Sequence, residues 1–142
     1  MKANACELCE MTAPPVYQDD KLAVILVDDP NHPGFCRVIW NDHVREMSDL
    51  SPADRMLLND AVWRVETAVR EVMGPDKINL ASLGNVVPHL HWHVIPRYVD
   101  DVHFPNPVWA AAVREPDEKT LAARRARVAR LKDAIVDRMS NR

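Results

Sequence analysis

His89-Leu90-His91-Trp92-His93-Val94-Ile95 carries three histidines at every second position. Side chains of a β-strand alternate between faces, so His89, His91 and His93 fall on one side while Leu90, Trp92 and Val94 fall on the other. Neighbouring histidines then stand roughly 6.5–7 Å apart at the backbone. Imidazoles build a core poorly, because each ring brings polar nitrogens that need partners. A row of them is a row of groups that titrate near neutrality. Two chemistries fit. Alternating histidines can chelate one metal and leave a coordination position open for a hydrolytic water. One imidazole can instead attack a phosphorus while its neighbours hold the tautomer and stabilise charge. Spacing alone does not choose.

A second set is Cys6-x-x-Cys9. The start, Met1-Lys2-Ala3-Asn4-Ala5-Cys6, has no apolar signal core, so export is not expected and the setting is read as cytoplasmic. Three cysteines cannot all pair, and in that compartment the Cys pair favours metal or redox chemistry over a disulfide framework. No βαβ context surrounds it, which weakens a thioredoxin-like reading. A tetrahedral metal site needs two more ligands, and His43, after the second strand, and His89 are the candidates.

The elements that must position these groups follow from patterning. Leu22–Val27 is a short β-branched run ending at Asp28-Asp29-Pro30, and Phe35–Trp40 follows the turn Asn31-His32-Pro33-Gly34; together they predict an antiparallel hairpin. Ser51-Pro52-Ala53-Asp54 reads as a helix start. Leu57, Leu58, Ala61, Val62, Val65, Ala68, Val69 and Val72 then draw one apolar stripe along a helix of about 22 residues, closed by Gly74-Pro75. Lys77–Leu83 and His89–Arg97 read as strands, Asp100–Trp109 as loop, and about 117–139 as a last helix with Leu121, Val128, Leu131, Ile135 and Met139 on one side. The order β-β-α-β-β-α predicts an α+β domain, an antiparallel sheet with helices on one face. The other face needs a cover, and a partner subunit is one natural answer.

The chain has 142 residues and 18 Lys+Arg against 21 Asp+Glu, a net charge of −3. That suits a single domain over 1–142, and the mild acidity argues against gripping nucleic acid. No apolar run exceeds six residues, Leu22–Val27 and Val108–Val113 being the longest, far from the ~20 of a membrane span.

The His89–Ile95 stretch resembles the histidine triad signature of the HIT superfamily, and the likeness covers roughly residues 6–109 with the helical extension beyond it. The resemblance implies a HIT-like fold, usually a homodimer, acting as a nucleotide hydrolase or transferase at an α-phosphate. It implies His91 as the nucleophile, forming a nucleotidyl-histidine, and His93 facing the scissile-bond and phosphate oxygens. It implies Asp28 at the nucleotide ribose, where a carboxylate can accept two hydrogen bonds. In some members a Cys pair, a distant histidine and the first triad histidine bind zinc; Cys6, Cys9, His43 and His89 match that set, and four protein ligands would make the zinc structural.

There are departures. Gly34-Phe35 stands where the family often has Gly-His, and the turn Gly84–Pro88 lacks the usual Gly-Gln-Ser/Thr phosphate loop, leaving Asn85 as the nearest polar substitute. The Trp109 segment resembles one that follows the triad in some bacterial members. Arg97 reads as a solvated strand end, and the arginines from Arg124 to Arg130 as a solvated helix face. His32 and His103 receive no role. Trp63 and Met73 match helix-core or dimer-contact positions. Two other readings stay beside the enzyme: a nucleotide-binding module with little turnover, and a metallohydrolase with the triad as ligands.

Overall fold

The computed structural model describes residues 6–11 and 13–141; Met1–Ala5, Thr12 and Arg142 lie outside the described residues, and with them the signal-free start expected above. Five strands form one antiparallel sheet: β1 Tyr17–Gln18, β2 Leu22–Leu26, β3 Cys36–Trp40, β4 Lys77–Ala81 and β5 His91–Arg97, in the order β1-β2-β3-β5-β4. The helices are α1 Pro52–Met73, α2 Glu118–Arg125 and α3 Val128–Ser140. The α+β expectation holds, as does the hairpin of β2 and β3, whose register pairs Leu22 with Trp40 and Leu26 with Cys36.

The long helix starts and stops where its signals put it. Ser51 Oγ accepts the Asp54 amide at 3.2 Å, Pro52 occupies the first turn, and Gly74 ends the helix in the left-handed region at φ 57°. One face of α1, including Leu58, Val65 and Val69, packs with Leu22, Val24, Val38 and Val94 of the sheet and with Leu131, Ile135 and Met139 of α3. Gly34 allows the closest approach: a Cβ there would stand 3.0 Å from the Met73 side chain.

Part of the opposite sheet face is covered by the chain itself. Ile39 packs there against Cys6, Leu8 and Cys9, with Met11, Ile25 and Val87 around them, so the N-terminal segment supplies part of the cover.

Several boundaries are corrected. β5 begins at His91, leaving His89 just before the strand, and β4 ends at Ala81 rather than Leu83. β1 is too short to leave a periodic signature. The last helix is two segments, α2 and α3. Its basic residues are not all a solvated face: Arg127 Nη1 donates to the Met73 carbonyl at 2.9 Å and Arg130 Nη2 to Val72 at 3.5 Å, capping orphan carbonyls at the end of α1. Leu57 turns out of the stripe to solvent, and so does Trp63, which is 59% exposed. Among the described residues no helix is long and apolar enough to cross a membrane.

Arg97 is the largest correction: only 2% of it is exposed. Its Nε and Nη2 donate to Asp101 Oδ2 and Oδ1 at 2.9 and 3.1 Å, and its remaining donors reach Asn79 Oδ1 and the Asn106 carbonyl. Asp101 also accepts the amides of Tyr98, His103 and Phe104. Burial pushes the Asp101 carboxyl up, but these donors outweigh it and hold it at about 2. The pair therefore ties β5 to the loop that follows. Removing one partner of a buried, hydrogen-bonded ion pair leaves the other charge stranded, so Asp101→Ala should lower stability by about 3–5 kcal/mol, read as a shifted denaturant midpoint.

Candidate functional site

Two clusters meet on the histidine face. In the first, Cys6 and Cys9 from the N-terminal turn meet His43, beyond β3, and His89, before β5. Cys6 Sγ and Cys9 Sγ lie 3.5 and 3.4 Å from His89 Nδ1, Cys9 Sγ lies 3.5 Å from His43 Nδ1, and the two Nδ1 atoms are 3.2 Å apart. Ligands of a tetrahedral zinc stand roughly 3.5 Å (S to N) and roughly 3.3 Å (N to N) apart at ordinary bond lengths, so the donors present fit a metal ion. His89 is fully buried, and its Nε2 lies 2.5 Å from the Trp40 carbonyl. That contact assigns the proton to Nε2 and leaves the Nδ1 lone pair facing the thiols, the usual support of a metal-bound imidazole.

In the second cluster, His91 and His93 project from β5 into a cavity of about 410 Å³. His91 Nδ1 lies 2.5 Å from the His89 carbonyl, which fixes Nδ1 as the protonated nitrogen and leaves the lone pair on Nε2. His93 meets His91, Phe35 and Trp109 edge-on, with ring centroids 4.8, 5.7 and 5.0 Å away. Burial lowers the pKa of both rings. At His91 the Arg37 charge adds to this, against the raising effect of the His89 carbonyl. At His93 burial, His91 and Arg37 together bring it to about 4. Both are neutral imidazoles at neutral pH.

Of the residues singled out from sequence, the structure brings Asn85 to the cavity of His91 and His93, beside Glu7, Leu8, Val87 and Trp109. Cys6, Cys9, His43 and His89 form the metal-type cluster. Asp28 lines a cavity with Asp29, Arg125 and Lys132. The three triad residues face two places: His89 faces the thiols, and the other two face the cavity. Sequence reading passed over Arg37, which lines the cavity. Its signal was a cation in the otherwise apolar run Phe35-Cys36-Arg37-Val38-Ile39-Trp40.

A further group of ligand types, His32, Asp101 and His103, is structural in character. His32 Nε2 and His103 Nδ1 are hydrogen-bonded at 2.9 Å, the rings stack, and the Asp101 oxygens are taken up by Arg97 and backbone amides. A cation there would face the Arg97 guanidinium.

This chain belongs to the HIT family, whose HIT domain matches residues 9–100. It is 31% identical over 88 residues to an asymmetrical bis(5'-nucleosyl)-tetraphosphatase of Schizosaccharomyces pombe, covering 58% of this chain and 48% of that protein. It is 28% identical over 104 residues to an adenylylsulfatase of Arabidopsis thaliana, covering 66% and 53%. The chain thus spans about half the length of these curated relatives. Among solved structures it resembles a histidine triad protein from Bradyrhizobium japonicum, with TM-score 0.66, 29% identity and 82% and 88% of the two chains covered. It also resembles a zinc-bound histidine triad family protein from Mycobacterium smegmatis, with TM-score 0.60, 27% identity and 92% and 97% covered.

The low pKa of His93 links to stability. Between about 4 and the unfolded value of 6.5 only the unfolded chain holds the proton, so this stabilisation is present above pH 6.5 and is lost as pH falls toward 4. Chemical denaturation at pH 7 and pH 5 should show wild type losing about 2 kcal/mol more than His93→Gln over that step.

Proposed function

We propose that this chain is a nucleotide hydrolase or transferase that cleaves a nucleotide conjugate at its α-phosphate. His91 is its nucleophile, and a nucleotidyl-histidine its intermediate. The observation that carries this reading is the 2.5 Å contact of His91 Nδ1 with the His89 carbonyl, which leaves Nε2 as the nitrogen with a free lone pair. The Nε2 lone pair attacks the α-phosphorus and forms a P–N bond, while the bond to the leaving group breaks and its electron pair departs with that group. Water then attacks the same phosphorus, the P–N bond breaks, the pair returns to Nε2, and a nucleoside monophosphate leaves with the water's proton released to solvent. His93, neutral and beside His91, is read as the hydrogen-bond partner of the phosphate oxygens. The named activities of the two curated relatives support the same class of substrate.

The metallohydrolase reading has less support, because His89 turns its Nδ1 toward the thiols while His91 spends its own on a carbonyl. His91→Ala should abolish turnover of an adenylated substrate with the fold retained, while rapid quenching of the wild type should trap an acid-labile adduct. Undiminished turnover by His91→Ala would sink the mechanism.

The metal cluster is read as one structural zinc per chain held by Cys6, Cys9, His43 and His89; with four protein ligands its contribution is to fix these segments rather than to activate water. Untagged protein should contain one equivalent of zinc, and Cys9→Ser should lose the metal and melt earlier, since binding energy at such a site is folding energy. The groove where Trp63 of α1 meets Leu80 and Trp92 of the sheet, two of the three side chains well exposed, supports pairing with a second copy.

A further inference from the structure

Arg37 is the one cation lining the cavity of His91 and His93 among the described residues. Its Cα pairs with His93 across β3 and β5, while Ile39 holds the position opposite His91. Directly opposed residues of an antiparallel pair project to the same face, so the guanidinium stands beside His93, one register step from the nucleophile. Its Nε is buried without a partner, and among the described residues the side chain makes no hydrogen bond or ion pair. The nearest acidic influence is Glu7, on the cavity wall, whose side chain is exposed. A half-buried guanidinium with an unsatisfied Nε and no direct ion pair is costly unless something satisfies it. Its planar fork matches the oxygens of a phosphate or sulfate.

We propose that Arg37 binds an anionic group attached to the phosphorus that His91 attacks, a second phosphate or a sulfate in the leaving group, and so selects anhydride substrates over those that release an amine. The proposal rests on the functional reading above and names its substrate class. Chemistry separates the two kinds of substrate. When the P–O bond of a mixed anhydride breaks, the leaving sulfate or phosphate takes the electron pair as a stable anion and needs charge neutralised rather than a proton. When a P–N bond breaks, the amine must receive a proton, and arginine has none to give at ordinary pH. Arg37 therefore serves the first departure and not the second. It also supplies, from the strand, phosphate-side charge in a protein whose Gly84–Pro88 turn offers only Asn85.

The test compares wild type, Arg37→Met and Arg37→Lys on adenosine 5'-phosphosulfate and on adenosine 5'-phosphoramidate, the second releasing only ammonia. Arg37→Met should lower kcat/KM for the phosphosulfate at least about tenfold, the size of a charge-assisted pair, and for the phosphoramidate far less. Arg37→Lys, which keeps the charge without the fork, should fall between them and guards against a Met variant that fails to fold. Equal losses on both substrates, or no loss on the phosphosulfate, would overturn the role of Arg37 and leave the mechanism at His91 standing. A wild type that turns over neither substrate and forms no adduct would overturn the functional reading, and this inference with it.

Discussion

Three contacts of one residue organise this molecule. His89 turns Nδ1 to the thiols of Cys6 and Cys9, Nε2 to the Trp40 carbonyl, and its own carbonyl to the ring of His91. Each contact constrains the next. The Trp40 carbonyl sets which nitrogen of His89 is protonated, and so which one can face a metal. The backbone of His89, held by that ring, places the acceptor that sets the tautomer of His91. The His91 ring is thus oriented by main chain rather than by a neighbouring side chain, and main chain does not change its charge with pH.

The sheet separates support from chemistry by its pleat. Val38, Trp92 and Val94 turn to the helices, while Arg37, Ile39, His91 and His93 turn the other way. The second face is left concave because its cover is partial: the N-terminal turn lies over Ile39, and the loop after β5 brings Trp109 against His93. That loop is long and carries several prolines, yet Asp101 gathers its amides and Arg114 donates to the carbonyls of Asp101 and Phe104, so its path is set by a few charge-assisted bonds.

Much of this was legible in the residues. The hairpin, the long helix with its Ser51 and Gly74 ends, and the family itself follow from short-range signals, because caps, turns and alternation are local physics. The reading of a single row of three histidines was less complete, since β5 begins two residues later and His89 is turned by contacts from segments 46 and 80 residues away in the chain. Arg97 was misread for the same kind of reason. An arginine at a strand end looks solvated until the turn behind it supplies Asp101 and Asn106. Arg37 left a visible trace, a charge inside an apolar strand, but only register with His93 gives that trace meaning. Asp28, read from its place after the first strand and from the family likeness, lines a cavity with Asp29, Arg125 and Lys132.

The sequence separation of the metal-type cluster has a consequence for how the chain comes into being. During synthesis the two thiols emerge first, then wait for His43, 34 residues after Cys9, and for His89, 83 residues after Cys6. Until that last histidine leaves the ribosome, the pair has His43 but not the fourth member of the cluster, and His91, two residues later still, has not yet been made. The last member of the cluster and His91 are therefore added within two residues of each other. The carbonyl that sets the tautomer of His91 joins the chain with the residue that completes the cluster.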